Sequence, residues 1–230
     1  MQAIIQTPTP HLKKSIGYYN KLGFTRIENK LNPLFSDGTS LIEINPDRFA
    51  RAGVKLYQKD WNNDLIAALS KMAKVSTITN GYKLCDPSGT WIYLLNSKQE
   101  SNIDLKSIQP STLGNNAGIS IETPNINMSI DIWRLVGFTS QQGDAAKGWV
   151  SLTNQQKFTI SLMNPETCPH LFYNPSLTFF NGENNLKVIE KIRLLKIPIT
   201  EEITHFNKEG KVDNIIIRDP GGLGFFLFSD

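Results

Sequence analysis

Hydrophobic and polar positions along the chain alternate between two periods. A strand-like run at residues 3–7 precedes a helical pattern from about Pro10, with Leu12, Ile16, Tyr19 and Leu22 at three-to-four-residue spacing. Strand-like runs follow at 24–28, 34–36 and 41–45, broken by the turn signals Asn32-Pro33 and Asp37-Gly38. This predicts a βαβββ unit. The order recurs with a strand at 54–58, then Leu65, Ile66, Leu69 and Met72 on one helical face behind the capping residues Asn62 and Asn63, then a hairpin at 82–85 and 91–95. In the second half a strand at 118–122 precedes a helix carrying Ile126, Ile130 and Trp133. A strand at 177–180 precedes one carrying Leu186, Ile189 and Ile192, with Pro198 as its stop.

The halves repeat. Gly-Phe, Asn-Pro and Asp-Pro-x-Gly occur in that order at Gly23, Asn45 and Asp86, then at Gly137, Asn164 and Asp219, at offsets of 114, 119 and 133 residues. The polar stretch from Ser97 to Asn116 has neither period and sets the division: 1–98, a linker at 99–115, and 116–230. The Asp-Pro-x-Gly segments read as type I turns, with Asp accepting a backbone bond, Pro fixing φ and Gly suiting the last position. The Gly-rich segment 219–224 runs into a strand, not a helix N-terminus, so it lacks what holds phosphate.

Composition narrows the function classes. In 230 residues, 40% hydrophobic and 20% charged, there is enough apolar material for a sizeable core. Twenty-four basic residues against 21 acidic leave a net charge of +3, spread without a stripe, so nucleic acid is not an expected partner. No signal-peptide core and no apolar run of membrane-spanning length is seen, so no membrane is expected and the cytoplasm is the expected location. Cys85 and Cys168 stand apart without a CxxC companion, which fits a reducing compartment.

Four such units, with Leu12 to Tyr19 running into Leu22-Gly23-Phe24, Ile130 to Trp133 running into Gly137-Phe138, and two Asp-Pro-x-Gly hairpins, resemble the vicinal oxygen chelate superfamily of glyoxalases, extradiol dioxygenases and bleomycin-resistance proteins. The resemblance implies an α+β fold of two glyoxalase-like domains, each a curved sheet with a concave pocket and helices on the other face. A ferredoxin-like βαβ arrangement is the alternative fold. The family's enzymes bind a divalent metal through His, Gln or Glu on the first strand of a unit and Glu or His on its last. Here the matching first-strand positions read Ile4 and Gly118, and the last-strand positions Tyr93, Ser161 and Phe226; only Glu43 sits where a ligand is placed. One carboxylate does not make a cage for a divalent ion, so no metal and no other cofactor is expected.

Strand alternation turns Ile42 and Ile44, Ile92 and Leu94, and Phe225 and Leu227 under the helices, and aims Glu43, Trp91, Tyr93, Phe226 and Phe228 into pockets. Glu43 is a weak candidate for a general base, but a carboxylate so placed more often pairs with a lysine. Glu122 has the same inward parity near a strand end. His11, His170 and His205 fall at a helix start, in a loop and after a strand, outside the inward positions. The expected function is metal-independent binding of a small amphiphilic molecule against Trp91, Tyr93, Phe226 and Phe228, with Glu43 reading a polar or cationic group, by a monomer or homodimer. The alternatives are a metal-dependent lyase, isomerase or dioxygenase of the same superfamily, and a degenerate scaffold for protein interaction.

Overall fold

A computed structural model describes residues 1–28, 31–97 and 103–229. The first half runs β1 (Gln2–Pro8), α1 (Leu12–Lys21), β2 (Thr25–Ile27), β3 (Leu34–Ser36), β4 (Leu41–Asn45), then β5 (Gly53–Gln58), α2 (Asn63–Ser70), β6 (Ser76–Ile78), β7 (Gly81–Cys85) and β8 (Trp91–Asn96). The second runs β9 (Asn116–Glu122), α3 (Ile126–Leu135), β10 (Thr139–Asp144), β11 (Trp149–Thr153), β12 (Thr159–Met163), then β13 (Ser176–Phe180), α4 (Asn185–Leu194), β14 (Ile199–Ile203), β15 (Asn214–Arg218) and β16 (Gly224–Phe228). Four βαβββ units result, as the hydrophobic pattern predicts.

Each half closes its own eight-stranded mixed sheet, ordered β2-β3-β4-β1-β5-β8-β7-β6 and β10-β11-β12-β9-β13-β16-β15-β14. The first strands of paired units meet antiparallel at the centre, and each lies parallel to the last strand of its own unit. The ferredoxin-like alternative is therefore set aside in favour of the α+β fold with two glyoxalase-like domains.

Local chemistry explains the boundaries. Asn62 Oδ1 accepts from the Leu65 amide at 2.7 Å and caps α2, while Asn63 is the first helical residue. Asn125 caps α3 through the Met128 amide. Both Asp-Pro-x-Gly segments form turns, with Gly89 N–H donating to Asp86 O at 2.9 Å and Gly222 N–H to Asp219 O at 3.0 Å. Two expectations for α4 need correction. The helix ends at Leu194, four residues before Pro198, where Lys196 takes a left-handed φ of 51°. Its buried face carries Val188, Ile189 and Ile192, while Leu186 points to solvent. The short strand β6, too brief to show a period, is also absent from the sequence reading.

One core serves both halves. Ile5, Ile42, Ile44, Ile92 and Leu94 of the first sheet belong to the same buried cluster as Ile119, Ile121, Phe225 and Leu227 of the second, with the helices packed between. The connection contributes to it: Leu113 is fully buried, and Thr112 N–H donates to Leu22 O. The faces turned away from this core carry two separate smaller clusters, Ile4, Leu34 and Leu41 on one sheet and Ile203, Ile216 and Phe226 on the other. Among the described residues no helix is long and apolar enough to cross a membrane.

Candidate functional site

The side-chain alternation expected from sequence holds on both outer faces, and each face carries a cleft of its own. Glu43, Trp91 and Tyr93 lie on the first sheet, Phe226 and Phe228 on the second, with the shared core between. Trp91 and Tyr93 therefore belong to one half's face and Phe226 and Phe228 to the other's, and the four do not share a wall. Two sheets that turn their helix-bearing faces toward each other present their pockets on opposite sides.

The cleft of the first half, about 640 Å³, is lined by Gln6, Asn32, Asn45, Lys55, Lys83, Tyr93 and Leu95 among others. Several of its polar groups are spent on one another, while Lys83 Nζ meets only the Trp91 ring among the described residues. Glu43 Oε1 accepts from Lys55 Nζ at 2.6 Å and from Asn32 Nδ2 at 2.8 Å, and is almost fully buried. Gln6 accepts from Asn45 Nδ2 and donates to Arg51 O, both at 2.8 Å. Burial, and secondarily the Glu43 charge, push the Tyr57 hydroxyl up to about 12. Trp91 stacks on Tyr93 at 6.4 Å and lies under Lys83, so it backs the cleft without lining it. Glu43 is therefore the partner of a lysine, and the cationic group that it was expected to read is supplied by the chain itself.

The cleft of the second half, about 570 Å³, is of another kind. Phe226 and Phe228, two residues apart on β16, stack at 5.7 Å and 21°, and Phe172 meets Phe226 edge-on at 5.0 Å. Phe180 and Phe206 stand half-exposed at the rim, and Trp149, Met163 and Cys168 close the other side. The loop after β12 folds back over the sheet and brings His170 into the cleft, its ring nearly parallel to Phe172 at 6.3 Å and 5.1 Å from Phe226. His170 Nδ1 lies 2.8 Å from Leu171 O, which can only accept, so Nδ1 carries the proton. His170 lies in a loop, as expected from sequence, but its ring is turned into the cleft. Sequence reasoning also missed Phe172 and Lys55: a loop has no period to assign a side, and Lys55 reaches Glu43 from a strand two places away in the sheet.

Burial pushes the Cys168 thiol up, with the nearby Glu122 charge adding to it. Burial also lifts the Glu122 carboxyl, while the Glu166 backbone N–H and His170 pull it back. Neither group is prepared as a nucleophile or a strong acid, since a raised thiol is mostly protonated at neutral pH.

The residues present do not fit a divalent metal. Among the described residues no three His, Cys, Asp or Glu side chains come together as a chelating set, and the Glu43 carboxylate already faces an ammonium. In the second cleft the position corresponding to a last-strand ligand is occupied by Phe226, whose ring cannot coordinate.

Comparison with solved structures places this geometry. A catechol 2,3-dioxygenase superposes with a TM-score of 0.56 at 12% identity, covering 97% of this chain and 85% of that one. The 2,3-dioxygenase LapB from Pseudomonas sp. KL28 gives 0.54 at 14%, covering 97% and 89%. The Mn(II)-bound glyoxalase from Novosphingobium aromaticivorans gives 0.52 at 12%, covering 97% and 79%. No family model matches the sequence, and neither does any curated protein. At these identities the likeness concerns the backbone, and it bears out the resemblance drawn from the repeated motifs: the chain has the vicinal oxygen chelate fold, two glyoxalase-like domains in the dioxygenase-like arrangement.

Proposed function

We propose that this protein binds a small, ring-bearing, amphiphilic molecule in the cleft of its second half, and does so without a metal. The observation that carries the reading is the contrast between the two clefts. In the first, Glu43, Lys55, Asn32, Gln6 and Asn45 satisfy each other, and Lys83 is left over the Trp91 ring as the amine open to a ligand. In the second, Phe172, Phe226 and Phe228 present ring faces and edges around a space of about 570 Å³, within the size range of small-molecule sites. Aromatic surfaces of this kind gain from stacking and from apolar burial, and neither requires chelation.

The structural neighbours act on catechols or carry Mn(II). Their chemistry is not carried over, because the donor set above does not fit it. The test is a fluorescence titration with naphthalene, read through Trp149, which lines the cleft. Saturable quenching is expected, weakened about tenfold by Phe228→Ala, a loss of about 1.4 kcal/mol, and unaffected by Tyr93→Ala. Quenching that fails to saturate, or that Tyr93→Ala weakens equally, contradicts the proposal.

A further inference from the structure

The floor of the second cleft carries a line of hydroxyls. Strand register sets Ser151 opposite Ser161, Ser161 opposite Ser120 and Ser120 opposite Ser176, so β11, β12, β9 and β13 each bring a serine to one level of the sheet. Directly paired residues share a face, and Ser120 and Ser161 line the cleft. Two of the four are engaged: Ser120 shares a 2.7 Å hydrogen bond with Thr178, and the Ser176 hydroxyl reaches Ser120 O at 3.5 Å. Ser151 and Ser161 make no side-chain hydrogen bond with any described residue.

The charge of the cleft is equally specific. No Lys or Arg lines it, and its one lining carboxylate, Asp213, accepts from Asn207 Nδ2 at 2.9 Å and from Asn214 Nδ2 at 3.0 Å. An anion entering the cleft loses its water and meets no Lys or Arg among the described residues there, only the His170 ring. A cation finds one carboxylate, Asp213, whose two oxygens each already accept from an amide N–H. Burying an unpaired charge is far costlier than burying a polar group that finds a hydroxyl, and a hydroxyl both donates and accepts.

We infer that the ligand's polar end is an uncharged donor-and-acceptor group of the carboxamide kind, seated on the Ser161 hydroxyl while its ring lies against Phe226 and Phe228. The inference rests on the binding reading above and adds the polarity of the ligand to it. It is tested by titrating the whole protein with four probes that share one ring: naphthalene, 2-naphthamide, 2-naphthoate and 2-naphthylmethylammonium. The amide is expected to bind at least about tenfold more tightly than either charged probe. In the Ser161→Ala variant the amide should fall about tenfold while naphthalene is unchanged, which also shows that the variant is folded. A charged probe that matches the amide, or an amide affinity untouched by Ser161→Ala, overturns the inference while naphthalene binding leaves the ring-binding reading standing. Failure of all four probes to bind overturns both.

Discussion

The Tyr19 hydroxyl donates a 2.9 Å hydrogen bond to Asp219 Oδ2, tying the first helix to the last hairpin across 200 positions of sequence. Thr7 adds a second hydroxyl at 2.8 Å to the same oxygen, while the Gly221 and Leu223 amides donate to Oδ1. The other half repeats the placement but not the bonds: Asp86 lies beside Ser129 and Trp133 of α3, with Asp86 Oδ2 and Trp133 Nε1 making no hydrogen bond among the described residues. The repeated Asp-Pro-x-Gly turns thus do more than close hairpins: each places its aspartate against the first helix of the opposite half.

Tyr19→Phe removes a donor to a buried carboxylate and leaves the ring packing in place. It should cost about 1–3 kcal/mol, read as a shift of the denaturation midpoint. An unchanged midpoint shows the bond to be inert.

The Asp219 and Asp86 carboxyls are held above the usual carboxylate range, chiefly by burial, with their hydrogen bonds pulling them partly back. The folded chain then keeps protons that the unfolded chain has released, so their contribution to stability is greatest below about pH 4 and is lost as pH rises through the raised values. The Asp86→Asn/Asp219→Asn variant should lack this dependence. Chemical denaturation from pH 4 upward should show wild type losing stability relative to the variant and then levelling off; a constant difference excludes the linkage.

Separated fragments 1–97 and 103–230 should not fold independently. Phe225 sits within 6.1 Å of the Tyr18 ring and 6.2 Å of the Tyr19 ring, so cutting the chain exposes one half's core to water in each piece. Each fragment alone should lack near-ultraviolet dichroism, and mixing should restore it. Native-like spectra from either fragment alone contradict the shared core.

The pattern of side-chain alternation explains why so much of this was legible. Ile42 and Ile44 on one side of β4, with Glu43 on the other, follow from a period of two, and the same rule sorts Ile92 from Tyr93 and Phe225 from Phe226. The repeat supplies the rest of the architecture, because corresponding motifs imply corresponding units. What stayed hidden depends on contacts between elements. Nothing in the spacing of Glu43 and Lys55 reveals that their strands flank β1. Nothing in a loop containing Cys168, Pro169 and His170 says which face it covers. Leu186 fits a helical stripe by spacing, yet the buried face of α4 is Asn185, Val188, Ile189 and Ile192.

Lys55→Met leaves the Glu43 carboxylate buried without a counter-ion, with the Asn32 amide as its remaining donor. Breaking such a pair from one side costs about 3–5 kcal/mol, while the double variant Glu43→Gln/Lys55→Met should recover most of the loss. If the single substitution is neutral, Glu43 is not held by Lys55. Neither variant should alter naphthalene binding, since the pair belongs to the other cleft.

The most direct test of ligand binding by the second half is to map where a ring goes. Backbone amide shifts recorded by heteronuclear NMR during a naphthalene titration should move for β9, β12 and β16 around Ser120, Ser161 and Phe226, and stay fixed for β1, β5 and β8 around Gln6, Lys55 and Tyr93. Shifts centred on the first sheet, or spread evenly over both, contradict the account.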